Sequence, residues 1–227
     1  MGKKLDNNRI VKAIAQWIPT HVSGKIIIGI YRILDAFNII RKTVREEHKR
    51  HNIEQLMSND SPLKNKYIDN QREWKNIAFG KTTMSISGCE IMAVYNILTA
   101  LGIGTGPELL GELIADFEKK GAALKGAIGT SPLALRKYLG KRGVRTKLLW
   151  KNDDIDDSVQ MAIATVYNDK SSLYHQIHTI AFIKDEEHGF VPYNARHNKP
   201  GYATLREAIE GVGTDPKTIC ILEILQG

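Results

Sequence analysis

One cysteine, one histidine and one asparagine occupy settings in which they could act together. Cys89 follows Ser85-Ile86-Ser87-Gly88 and opens a run with Ile91, Val94, Leu98 and Leu101 at helical spacing. A thiol at a helix start meets unpaired backbone N–H groups and the positive end of the helix dipole, and both favour S⁻ over SH. His178 heads the strand-like run His178-Thr179-Ile180-Ala181-Phe182-Ile183, and Asn194 follows 16 positions later, at the end of Phe190-Val191-Pro192-Tyr193-Asn194. Nucleophilic cysteine chemistry needs a thiol of lowered pKa, an imidazole to take its proton and a third group to orient the ring. The Asn194 side-chain oxygen is suited to the third task, accepting from the imidazole N–H. A hairpin through the charged turn 184–189 would return Asn194 to the side of His178.

Other reactive side chains fit less well. His175 lies close to His178 but in the polar loop Ser171-Ser172-Leu173-Tyr174, and His188 and His197 read as surface residues. A metal site on His175 and His178 lacks a third ligand at a diagnostic spacing. Cys220 sits inside the apolar run Ile219-Cys220-Ile221-Leu222 and reads as a core residue. The loop Gly102-Ile103-Gly104-Thr105-Gly106 follows a helix and lacks the Gly-Lys-Ser/Thr ending of a phosphate loop, so nucleotide binding is rejected.

The elements that must position the three residues follow from periodicity. Helices are expected over Pro107–Lys120 and from Ser131-Pro132 to Leu139, with Gly121 and Gly140 ending them. Strands are expected over 144–150, 158–167, 178–183, 190–194 and 218–225, with a short helix over 204–210. The run 161–167 shows no polar alternation, which predicts a strand covered on both faces. Pro192 predicts an edge strand or a bulge. Helices first and strands later make an α+β order.

All the excess charge lies at one end. Of the 32 Lys/Arg and 25 Asp/Glu that make the chain +7, residues 1–75 hold 15 and 8, and the remainder is neutral. Ile10, Val11, Ala13, Ile14, Trp17 and Ile18 form one apolar helical face, which Pro19 is expected to end. A second helix is expected from Ser23 to Lys49, with Ile26, Ile27, Ile30, Ile33, Leu34, Phe37 and Ile40 on one side. A polar turn at Ser58–Pro62 and a connecting helix over Lys66–Trp74 then lead to a boundary near residue 75. The division is thus a basic helical extension, 1–75, and a core domain, 76–227. The stripe of the second helix is expected to pack onto the following domain in preference to lying on a membrane surface. The charge of residues 1–50 is that of a solvated basic face or of a contact with an anionic membrane surface or an acidic partner, and nucleic acid is not expected. The stretch Ile26–Ile40 is broken by Gly29, Arg32, Asp35 and Asn38 and falls short of the ~20 apolar residues a spanning helix needs. With no secretory signal either, a cytoplasmic protein, peripheral to a membrane at most, is expected.

Residues ~76–227 resemble the papain-like cysteine peptidase superfamily, and within it the bacterial bacteriocin-leader (double-glycine) peptidase-like group. Gly88-Cys89 opening a helix, the strand from His178, and Asn194 in the following strand carry the resemblance. It implies a papain-like fold and a Cys89–His178–Asn194 triad acting on a peptide or amide bond of a peptide or protein substrate, with no metal or organic cofactor. Within the same fold it also allows acyl transfer, glutamine deamidation or an inactive binding scaffold. The chain departs from the pattern at two positions. Thr83 stands where the family places an oxyanion glutamine, leaving Thr83 or Asn76 as substitutes beside the Cys89 N–H. Glu90 follows the cysteine where a small residue is usual, and a carboxylate there opposes thiolate formation unless it points away.

Overall fold

The computed structural model describes residues 16–36, 40–123, 125–126, 129–167, 177–195, 201–212 and 217–225. His175, His197 and the first part of the expected N-terminal helix lie outside them. The architecture is α+β, as the order of elements predicts. Five antiparallel strands, β3 (Arg145–Leu149), β4 (Met161–Tyr167), β5 (Ile177–Asp185), β6 (Gly189–Tyr193) and β7 (Lys217–Leu225), form a sheet of order β3-β7-β4-β5-β6. Pro192 lies on β6, at the sheet edge, where its missing N–H disrupts no inner ladder.

Side chains of β4 alternate between two cores, which is why the whole strand is buried. Met161 and Ile163 face a helical layer, in one cluster with Ile91, Leu98, Leu113, Ile114 and Leu139. Ala162, Ala164 and Val166 face the other way, packing with Leu205, Ala208 and Ile209 of the short helix Leu205–Gly211. A closed capping box, Thr204 with Glu207, starts that helix.

The helical layer holds α1 (Gly24–Ala36), α2 (Lys42–Met57), the single turn α3 (Met84–Ser87), α4 (Cys89–Ala100), α5 (Gly106–Lys119) and α6 (Pro132–Lys141). The single helix expected over 23–49 is therefore two. Arg41 adopts an extended backbone (φ −58°, ψ 143°) and caps α2, which runs eight residues beyond Lys49 to Met57. Pro19 does not end the helical segment 16–21, since proline removes its own N–H but no acceptor, and Val22 N–H still reaches the Ile18 carbonyl at 2.8 Å. No connecting helix spans 66–74. Only a 3₁₀ turn forms, at Gln71–Glu73, because Asn96 takes both the N–H (2.8 Å) and the carbonyl (2.9 Å) of Ile68, the two groups a helix would use within its own backbone.

Packing does not break near residue 75. Leu56, Ile68 and Trp74 belong to the same apolar cluster as α4 and α5. Asn52 brackets Ala78 with two hydrogen bonds of 2.8 and 2.9 Å, and His48 and the Gly80 N–H meet on Glu118 Oε1. A small hairpin, Ala78–Phe79 with Thr82–Thr83, then delivers the chain to α3 and α4.

Candidate active site

Cys89 is the first residue of α4, as its sequence context predicts. Gly88 joins α3 to α4 with no room for a side chain, since a Cβ there would lie 2.6 Å from the Met84 carbonyl oxygen and 2.8 Å from its sulfur. This close approach sets the direction in which α4 starts and so where Cys89 lies. Helix α4 packs across β5, the strand that carries His178.

Cys89, His178 and Asn194 line one open cleft of about 500 Å³, together with Gln71, Arg72, Ser85 and Ile86. His178 Nε2 lies 2.5 Å from the backbone carbonyl oxygen of Asn194. A carbonyl only accepts, so Nε2 carries the proton and Nδ1 is the basic nitrogen of the neutral ring. The pair is the one expected from the sequence, but the atom is not. The side chain of Asn194 is occupied elsewhere: Oδ1 accepts from the Gln71 N–H (2.9 Å) and Nδ2 donates to Gln71 Oε1 (3.2 Å). Asn194 N–H also donates to Asp69 Oδ1 at 2.8 Å. Asn194 has φ +68°, a left-handed conformation that asparagine tolerates better than most residues, and its carbonyl faces the imidazole.

The thiol environment opposes the expected low pKa. Cys89 is only 8 % exposed, and its Sγ–H donates to Glu90 Oε2 at 3.0 Å. Burial pushes the thiol well above its ordinary value, and the neighbouring Glu90 charge and hydrogen bond add to this. The backbone N–H groups of Thr179 and Glu90, which face the sulfur, pull the other way but do not win. Glu90 is itself buried, and desolvation raises its carboxyl despite hydrogen bonds from Cys89 and Thr130. Helix-start geometry alone would predict a thiolate; burial and Glu90 hold a thiol instead.

The two oxyanion substitutes expected from the sequence do not line the cleft. Thr83 Oγ1 is bonded to Ser85 Oγ at 2.8 Å, and the Asn76 carbonyl takes His51 Nε2 at 3.1 Å. Gln71 and Ser85 do line it. With Oε1 engaged by Asn194, the Nε2 of Gln71 is the amide end left for a ligand, and among the described residues nothing accepts from it. Gln71 escaped the sequence reading because it precedes Cys89 by 18 positions, far from the usual six. The polar run Asp69-Asn70-Gln71 was the available signal.

Cys220 is buried, with its thiol pushed up to about 12 by burial, and both cysteines are free. Among the described residues no three His, Cys, Asp or Glu side chains converge as metal ligands would, and no helix is long and apolar enough to cross a membrane. No family model matches the chain, and no curated protein or solved structure matches it either.

Proposed function

We propose that the protein is a papain-like thiol hydrolase that cleaves a peptide or amide bond through Cys89, His178 and Asn194. One observation carries this reading: the three residues line a single open cleft, with His178 Nε2 held by the Asn194 carbonyl. Nδ1 of His178 takes the thiol proton and the Cys89 sulfur attacks the carbonyl carbon. The oxyanion is received by the Cys89 N–H at the start of α4 and by the Gln71 amide. Collapse expels the amine, which leaves with the proton from His178. Water activated by the same ring then hydrolyses the thioester and releases the acid. Incubating the protein and its Cys89→Ala variant with a peptide library, followed by mass spectrometry, tests this. New chain ends that require Cys89 support hydrolysis, and conversion of glutamine to glutamate without a cut assigns deamidation. No Cys89-dependent product of any kind overturns the catalytic reading.

A second reading, a non-catalytic papain-like binding scaffold, is favoured by the Cys89–Glu90 hydrogen bond, which holds the sulfur as a buried thiol. It requires Cys89→Ala to leave binding of any cleft ligand intact.

A further inference from the structure

Helix α1 has two apolar faces and the fold uses one of them. Ile27 and Ile28 are buried against Tyr167, Ile219 and Cys220, at the end of the sheet nearest the thiol. Tyr31, on the same side, has its hydroxyl pushed well above the ordinary range by burial first and then by the nearby Glu90 and Cys89. Gly24 lets the helix start directly on β7, since a Cβ there would lie 2.0 Å from the Ile219 carbonyl oxygen. A second anchor comes from Lys217 Nζ, which donates to the Pro19 carbonyl.

The opposite face carries Ile26, Ile30 and Ile33, spaced i, i+4, i+7, at 56 %, 45 % and 63 % exposure. Helical geometry puts Gly29 beside the stripe, and a Cβ there would meet nothing within 4 Å. Exposed Arg32 lies on the side of the stripe marked by Gly29, whereas Lys25 turns back to the domain, with its Nζ 5.6 Å from the centroid of the Trp150 ring. Trp17, in the preceding helical segment, is 54 % exposed and stacks on His21. Three exposed isoleucines in one row cost solvation free energy in an isolated monomer and mark an interaction surface.

Charge and area decide what covers it. The first 36 residues hold six Lys/Arg against two Asp/Glu, and this sequence charge favours an occupant that presents negative charge. A second copy of this chain would bring the same positive charge to the contact. It would also gain little area: a 13-residue helix is only ~20 Å long at ~1.5 Å per residue. One face of it supplies far less than the ~800 Å² per partner of a stable protein interface. A lipid surface needs no such area, because apolar side chains enter the acyl boundary while Lys and Arg reach the headgroups. We infer that α1 seats its Ile26–Ile30–Ile33 face on an anionic lipid bilayer, with Arg32 at the headgroup level. This inference does not depend on the catalytic reading.

The full chain is mixed with vesicles of phosphatidylcholine alone and of phosphatidylcholine with phosphatidylglycerol. Binding is read by co-sedimentation and by the emission shift of tryptophan. The expected result is binding to the mixed vesicles only, weakening as salt shortens the screening length from about 30 Å at 0.01 M to about 8 Å at 0.15 M. Ile26→Gln/Ile30→Gln/Ile33→Gln weakens binding at least ~tenfold, given the free energy of burying one such side chain. Arg32→Glu lowers the salt dependence. These side chains are exposed, so circular dichroism should show an unchanged fold. Absence of binding to the mixed vesicles, or full binding by the triple glutamine variant, overturns the inference. So does a concentration-dependent dimer of the free protein that the triple variant dissolves, which assigns the face to a second copy.

Discussion

His178 Nε2 and the main-chain carbonyl of Asn194 lie 2.5 Å apart, so the backbone at residue 194, rather than its amide side chain, fixes the orientation of the imidazole. What residue 194 must supply is therefore a left-handed backbone. Asn194→Gly keeps that conformation and the carbonyl while losing the two side-chain bonds to Gln71, so alkylation of Cys89 should stay within ~tenfold of wild type. Asn194→Val forces a β-branched residue to φ +68° and should lose about 1–3 kcal/mol of stability along with the alkylation rate. Iodoacetamide kinetics and thermal melts check both. A side-chain acceptor would make the glycine variant as damaging as the valine.

Glu90 sets the state of the thiol. Replacing its carboxylate in Glu90→Gln removes the negative charge beside Cys89 Sγ and offers an N–H to the sulfur. The alkylation–pH profile of Cys89 should move to lower pH, with faster labelling at neutrality. His178→Ala in the same background should move it back. Labelling profiles of wild type and the two variants decide the matter.

The same substitution has a signature in stability. Burial raises the Glu90 carboxyl above its ordinary value of 4.5. A carboxyl with a raised folded pKa favours the fold fully below its unfolded pKa, and this contribution is lost as pH rises through the folded value. As pH rises above the ordinary carboxyl range, the folded state therefore loses a contribution that glutamine, which does not titrate, keeps. The melting temperature of Glu90→Gln, relative to wild type, should rise from acid to neutral pH, by about 2–4 °C for each kcal/mol relieved.

Gln71 should matter where Thr83 does not. On a peptide substrate, Gln71→Ala removes a cleft amide and the acceptor of Asn194 Nδ2, while the main-chain N–H of residue 71 still meets Asn194 Oδ1. A loss of ~10²–10³ in kcat is expected for one oxyanion donor. Thr83→Ala, whose hydroxyl meets only Ser85 among the described residues, should leave kcat near wild type. Steady-state kinetics on both variants, with melts to verify folding, separates the roles.

Gly88→Ala should be destabilising by roughly 1–3 kcal/mol, because the added methyl meets the Met84 carbonyl as well as its flexible side chain. The backbone must shift, and Cys89 with it. A lowered melting temperature and an altered alkylation rate are the measurable consequences.

Local chemistry along the chain was enough to locate the helix that begins at Cys89, the fully buried strand Met161–Tyr167, the edge strand holding Pro192 and the pairing of His178 with Asn194. Periodicity, glycine and proline act within a few residues, and that is the range over which such features are decided. The same signals misread 23–49 as one helix, because neither glycine nor proline stands between Ala36 and Lys42, although the backbone at Arg41 does not stay helical. They also pointed to Thr83, which does not line the cleft, and not to Gln71, which does, and to the asparagine amide where the carbonyl meets the imidazole. The bonds between Gln71 and Asn194 join positions 123 residues apart, and no local pattern encodes which polar atoms will meet across such a distance. Whether Glu90 points toward or away from its neighbouring sulfur was likewise undetermined by adjacency. Helix α4 packs against β5, both groups are buried, and the carboxylate meets the thiol. A helix start favours the thiolate by partial charges at its end, and desolvation of the whole group outweighs them.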